Sequence, residues 1–416
     1  MSTYPYNTQY SAVANNNQSA YDLSEKRNEK SRRRKWIIIG SIVGLVVLIA
    51  IGVTVGVVVS NKSKDSENKG SSSSSSGSTT SKGGSNSTST TGGPTKNGDP
   101  SDFVKDENLR RAFYGLAYTP EGSLPDWGCS STLESVIHDI QLMSQLTRRV
   151  RLYGGDCNQT ALVLEAIKQT KVDMEVYLGN YVVDGDPTAY ERQRDEIKKA
   201  IETYGVDHIA GITVGNEFML NYVTTHKAVD ANDAIADQGA AILLANIQDT
   251  RQMLDGMNLP KHIPVGNSDA GSYFSTKVLE SVEYGLSNVH AWFANTTAEA
   301  AASWVNTFFS ETNVQPAALL PNKPKMYIAE TGWPTDSKDE GNLTNGFAKA
   351  SIENLQVFLD TFVCQANADG VPYFFFEYFD EVWKDIKYGG VEGHWGLFTE
   401  ERTLKKGLKI PNCESP

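Results

Sequence analysis

The chain from about Phe103 onward predicts a closed (β/α)8 barrel. Three observations carry that prediction: eight short apolar or aromatic runs, helical patterns between them, and ordinary globular proportions sustained over more than three hundred residues.

The runs are Phe113 to Tyr118, Arg149 to Tyr153, Met174 to Leu178, Ile209 to Val214, Ile263 to Gly266, Asn288 to Phe293, Lys325 to Ala329 and Val371 to Phe376. Their starts lie about 25 to 55 residues apart, the length of a strand-helix unit with occasional insertions. Between the first two, Leu133, Val136, Ile137, Ile140 and Met143 fall at helical spacing; between the third and fourth, Arg192 to Tyr204 alternates charged with apolar positions. Buried parallel strands are almost continuously apolar, as Ile209 to Val214 and Val371 to Phe376 are, so Phe374, Phe375 and Phe376 read as core. A doubly wound open sheet is the structural alternative. It calls for a Gly-rich phosphate loop after an early strand, and LAYTPEG after the first run is not one.

The first hundred residues are of another kind. Residues 1–35 read as a polar cytoplasmic tail without core-forming periodicity. Trp36 to Val59 carries no charge, and as a helix it spans about 36 Å, enough to cross a bilayer. Arg32, Arg33, Arg34 and Lys35 abut it on the N-terminal side, which predicts a type II signal anchor with the tail in the cytosol and the rest outside the plasma membrane. Residues 60–101 are almost wholly Ser, Gly, Thr, Asn and Lys and read as a disordered stalk; residues 102–416 read as the barrel domain. Sequons at Asn86, Asn158, Asn295 and Asn342 then fall on the glycosylated side, while the one at Asn17 does not.

The formal net charge is -12. Met1 to Lys35 holds seven Lys/Arg against three Asp/Glu, which leaves 31 against 47 for the remainder. So acidic an outer domain argues against nucleic acid or any anionic polymer as partner and is compatible with a neutral one. The four cysteines, Cys129, Cys157, Cys364 and Cys413, allow up to two disulfides in any of three connectivities, with buried thiols as the alternative. No paired Cys/His spacing suggests a metal, and no motif asks for a cofactor.

In a (β/α)8 barrel, chemistry is done at the C-terminal ends of the strands. Glu217 closes the fourth run in ITVGNE and Glu330 closes the seventh in MYIAETGWP, so both point into one mouth. Cleaving a glycosidic bond needs one carboxylic acid to protonate the leaving oxygen and a second carboxylate to attack the anomeric carbon or activate water; a separation of about 5 to 5.5 Å gives retention and a wider gap inversion. Either Glu alone reads as a barrel-rim residue. Together they read as a catalytic pair, with Asn216 placed to hold a sugar hydroxyl and Trp333 offering a ring to the apolar face of a pyranose.

Seven motifs in order now bear on family: FYGLAYTPEG, RVRLYGGDC, TVGNE, NVHAWFAN, AETGWP, FFFEYFDEVWK and VEGHWGLF. Over about Phe113 to Cys413 the chain resembles glycoside hydrolase family 17, the β-1,3-glucanases, and especially its fungal membrane-bound members. The resemblance implies retaining chemistry, with Glu217 as acid/base and Glu330 as nucleophile. It also implies that Tyr118, Tyr153, Asn180, Asn216, Trp292, Trp333, Glu377, Glu381 and Lys384 line the sugar cleft, the segment holding Glu381 and Lys384 being altered from that of plant members. His290, on the sixth run, either faces the nucleophile or is a satisfied interior histidine. The expected activity is endo-hydrolysis of β-1,3-glucan in the cell wall; transfer of the same glycosyl-enzyme to another glucan is the alternative, and a non-catalytic glucan-binding protein the more distant one.

Overall fold

The computed structural model describes residues 98 to 416. The expected tail, the expected anchor Trp36 to Val59, nearly all of the expected stalk, and the sequons at Asn17 and Asn86 lie outside the described residues. Among those that are described, no helix is long and apolar enough to cross a membrane.

Eight parallel strands close into a barrel. They are β1 (Gly115–Ala117), β2 (Arg149–Arg151), β3 (Glu175–Asn180), β4 (Ile209–Asn216), β5 (Val265–Ala270), β6 (Tyr284–Asn288), β7 (Lys325–Thr331) and β8 (Tyr373–Phe375). Closure comes from β1, which pairs with β2 through Leu116 and Val150 and with β8 through Gly115 and Phe374. Helices α1 (Leu133–Met143), α2 (Gln159–Thr170), α3 (Pro187–Tyr204), α4 (Phe218–His226), α5 (Ala236–Gly256), α6 (Ala298–Phe308), α7 (Ile352–Ala368) and α8 (Val382–Lys387) occupy the connections. Their ends follow local rules. Thr132 caps α1 by accepting from the Ser135 amide, Asp186 with Pro187 starts α3, and Ser351 caps α7 by accepting from the Asn354 amide.

Two expected strand spans are corrected. The fifth runs to Ala270, beyond the expected Gly266, because Asn267, Ser268 and Asp269 continue the ladder against β6 although none is apolar. The sixth is Tyr284–Asn288, ahead of the expected Asn288 to Phe293. Its Gly285 and Ser287 hide the strand from a search for apolar residues, while Ala291–Ala294 is a 3-10 turn packed above the barrel.

The barrel interior has two storeys. The lower is aromatic: Tyr177, Tyr284, Tyr327 and Phe374 meet edge to face at centroid distances of 5.3 to 6.0 Å, with Leu286 and Ala329 between them. Gly266 makes room for this, since a Cβ there would lie 2.2 Å from the Tyr284 ring. The upper storey, toward the strand C-termini, is polar and holds the site. Both ends of the described chain lie at the opposite face: the Pro100 carbonyl accepts from Gln141 near the end of α1, and the Pro416 carbonyl accepts from Arg149 at the start of β2.

All four cysteines pair, Cys129 with Cys157 and Cys364 with Cys413. The first ties the loop after β1 to the loop after β2, and the second ties α7 to the C-terminal segment.

Candidate active site

Alternation along β7 turns Tyr327 and Ala329 inward, which by period two would send Glu330 outward. A register shift intervenes. Ser287 pairs with Ile328 but Asn288 pairs with Glu330, and the extra residue swings the Glu330 carboxyl into the barrel. A second shift, between Thr213 and Asn216 on β4, does the same for Asn216. Glu217 follows directly, at φ 52° and ψ 29°, a left-handed conformation that a non-glycine residue adopts at some cost. It is held there from both sides: its own amide donates to the Ser268 carbonyl, and the next amides, of Met219 and Leu220, donate to the buried Asp269 carboxylate at 2.8 and 3.1 Å. Burial pushes the Asp269 carboxyl up to about 7 despite these bonds.

Glu217 and Glu330 are both buried and belong to one hydrogen-bonded network. Arg151, from β2, donates to Glu330 Oε1 at 2.9 Å, to Asn216 Oδ1 at 2.6 Å and to Ser268 Oγ at 2.8 Å. Asn288, from β6, donates to Glu217 Oε1 at 2.9 Å. His290 lies past the end of β6 rather than on it, and its Nε2 sits 3.1 Å from Glu330 Oε2. The ring is wedged edge-on among Phe293, Phe376 and Trp395. Burial alone would raise the Glu330 pKa, but the His290 hydrogen bond and the Arg151 charge outweigh it and hold the carboxyl at about 2. Glu330 is therefore ionised throughout the range in which proteins work.

Beside the pair opens a cleft of about 370 Å³. Tyr153, Asn216 and Lys384, expected at such a surface, line it together with Tyr181, Phe376, Trp383 and Tyr388. Arg151 stacks on the Tyr153 ring with Cζ 4.3 Å from its centroid; burial, then the Glu330 charge, raise the Tyr153 hydroxyl well above its usual range. Lys384 bridges Glu377 at 2.6 Å and Glu381 at 3.0 Å. One ammonium facing two buried carboxylates cannot neutralise both. Burial, then the neighbouring Glu381 charge, push the Glu377 carboxyl up, with Lys384 opposing. Gly332 allows this wall to form, because a Cβ there would lie 1.9 Å from the Phe376 carbonyl oxygen.

Six expected cleft residues are not in its lining: Glu377 and Glu381 are held by Lys384, and four others lie elsewhere. Trp333 is fully buried, its indole N–H donating to the Lys349 carbonyl and its ring set between Phe358 and Trp292; Trp292 is 3% exposed in the same stack. Tyr118 is 1% exposed, donating to Asp139. Asn180 is buried and donates to the Tyr190 carbonyl. Large rings gain more from closing the shell between strand ends and helices than from facing water, and in this structure Trp292 and Trp333 belong to that shell. Phe376 errs the other way, being a cleft wall and not simply core. Arg151, Ser268 and Asn288 were missed, although a polar side chain at the end of a buried strand was the signal in each case. Among the described residues no group of acidic, His or Cys side chains is placed to hold a metal ion.

Comparison with known proteins adds to this geometry. The BtgE/BtgC glycoside hydrolase domain family matches residues 115–396. A glucan endo-1,3-beta-glucosidase btgC of Emericella nidulans is 32% identical over 345 residues, covering 78% of this chain and 50% of its own. A like-named protein of Aspergillus niger is 33% identical over 330 residues, covering 74% of this chain and 45% of its own. The chain thus spans about half the length of the curated relatives it matches. Among solved structures, a glycoside hydrolase family 17 β-1,3-glucanosyltransferase from Rhizomucor miehei has a TM-score of 0.58 at 23% identity, covering 73% of this chain and 99% of that one. An endo-laminarinase from Formosa Hel1_33_131 has a TM-score of 0.56 at 18% identity, covering 73% and 92%. At these identities the structural likeness is one of fold.

Proposed function

This chain belongs to the BtgE/BtgC glycoside hydrolase family, and we propose that it cleaves β-1,3-glucan internally with retention, Glu217 serving as acid/base and Glu330 as nucleophile. The observation that carries the reading is the Arg151, Asn216 and Asn288 network, which joins the two buried carboxyl groups at one edge of a sugar-sized cleft. The names of the homologous btgC proteins support the choice of linkage.

The chemistry follows from the two environments. A Glu330 oxygen attacks the anomeric carbon while the bond to the leaving sugar breaks and the Glu217 proton passes to the departing oxygen. Arg151 and His290 each hold one Glu330 oxygen, which leaves lone pairs for attack and fixes the carboxylate plane. Bonding to the sugar removes the Glu330 charge. Glu217, now a base, takes a proton from water as the water oxygen displaces Glu330 and both carboxyl groups return to their starting states.

Mass spectrometry of linear β-1,3-gluco-oligosaccharides incubated with wild type, Glu217→Gln and Glu330→Gln tests this. Cleavage by wild type only is expected, with the new reducing end first appearing as the β-anomer. Equal cleavage by Glu330→Gln would remove the assignment, and products longer than the substrate would identify transfer to sugar rather than to water.

We further propose that Trp36 to Val59 anchors the protein in the plasma membrane with the barrel facing the wall. The charge asymmetry about that segment supports this, and so does the exit of the chain at the barrel face opposite the cleft. Asn158, Asn295 and Asn342 are exposed and suited to carry N-glycans. Carbonate extraction, protease protection and a mass shift after endoglycosidase treatment test these points.

A further inference from the structure

A second hollow, of about 250 Å³, adjoins the cleft across a ridge formed by Thr119, Leu124 and Trp383, which line both. Its outer walls are apolar and open to solvent: Trp127 is 42%, Val382 41% and Ile386 62% exposed. Glu121, Asp380, Glu381 and Glu400 stand around them, the first three paired from behind with Arg402, Lys405 and Lys384, and none of the lining side chains is itself Lys, Arg or His.

We propose that this hollow is a second carbohydrate site, which takes sugar units of the same glucan chain that occupies the cleft. The inference rests on the glucanase reading and extends it. Ring faces with carboxylates at the rim suit a neutral pyranose, whose C–H face packs on Trp127 while its hydroxyls donate to carboxylate oxygens. No basic side chain lines the hollow to receive an anionic ligand. A protein partner covering the hollow would strip water from the half-exposed Glu121 and from Glu400 without supplying a fixed set of donors, whereas a polyol replaces that water bond for bond.

Trp127 is also held ready. It ends the 3-10 turn Pro125–Trp127, in which its amide donates to the Leu124 carbonyl and the Gly128 amide to that of Pro125, both at 3.0 Å. Two residues on, Cys129 is bonded to Cys157, beside the cleft-lining Asp156. The platform and the cleft wall are thus cross-linked, and little ordering remains for the ligand to impose.

The test compares a trisaccharide, too short to span cleft and hollow, with a decasaccharide. Trp127→Ala is expected to raise KM for the decasaccharide about tenfold, the effect of losing one aromatic face, and to leave the trisaccharide kinetics unchanged. Ile386→Ser, on the opposite wall, should act in the same direction, which guards against a local folding defect in either variant. Equal losses on both substrates, or no loss on the decasaccharide, would overturn the inference while leaving the glucanase reading in place. Wild-type protein that cleaves neither substrate would remove that reading and the hollow's assignment with it.

Discussion

Replacing Arg151 by Gln leaves the Glu330 carboxylate buried without its guanidinium partner. The sign of the effect follows: losing a nearby positive charge raises the Glu330 pKa from about 2, so the acid limb of the activity profile moves to higher pH. We expect a shift of about one to three pH units, read from kcat/KM against pH, with a loss of roughly 3–5 kcal/mol in stability by thermal melting. Glu330→Gln removes the proposed nucleophile outright and should slow turnover by about a thousandfold or more, roughly 4 kcal/mol of barrier. Glu217→Gln should cost about a hundredfold to ten-thousandfold with natural substrates. It should cost far less with an aryl glycoside whose leaving group departs without a proton, a contrast that a comparison of the two substrate types measures directly.

Elements matter here chiefly for where they place these side chains. Asp269, at the end of β5, fastens the first turn of α4 and so the left-handed Glu217 before it. Asp269→Asn keeps a carbonyl acceptor and loses the second oxygen; we expect about 1 kcal/mol off the melting free energy and a fall in kcat larger than any change in KM. Breaking the Cys129–Cys157 bond, which closes a separation of 28 residues, should cost about 3–4 kcal/mol by loop entropy. Because it braces loops at the cleft, KM should rise as well. Gly266→Ala would press a methyl into the Tyr284 ring and destabilise by roughly 1–3 kcal/mol, visible in denaturant titration.

At the scale of the whole molecule, β1 to β8 close upon themselves within the described residues, and the second disulfide ties the C-terminal segment to α7. A fragment starting near Gly98 should therefore fold alone, with the melting temperature and kcat/KM of the longer chain on soluble oligosaccharides. A difference between the two on insoluble glucan would measure what the preceding residues contribute. The barrel was legible before the structure because its strands repeat at βα spacing and are apolar. Reading failed at β5 and β6, where strands turn polar on approach to the site. The feature that hid them is the one that makes them functional.

Sequence alone determined the barrel class, the positions of Glu217 and Glu330 at strand ends, and the even set of cysteines, since each is a local property of residue type and spacing. Tertiary structure alone decided which side chains face the cleft. Two register shifts turn Asn216 and Glu330 inward where simple alternation would turn them out, and a shift in pairing exists only between strands distant in the chain. The same holds for the tryptophans. Trp127 and Trp383 meet solvent while Trp292 and Trp333 vanish into the shell, because burial is set by what the closing barrel packs against each ring.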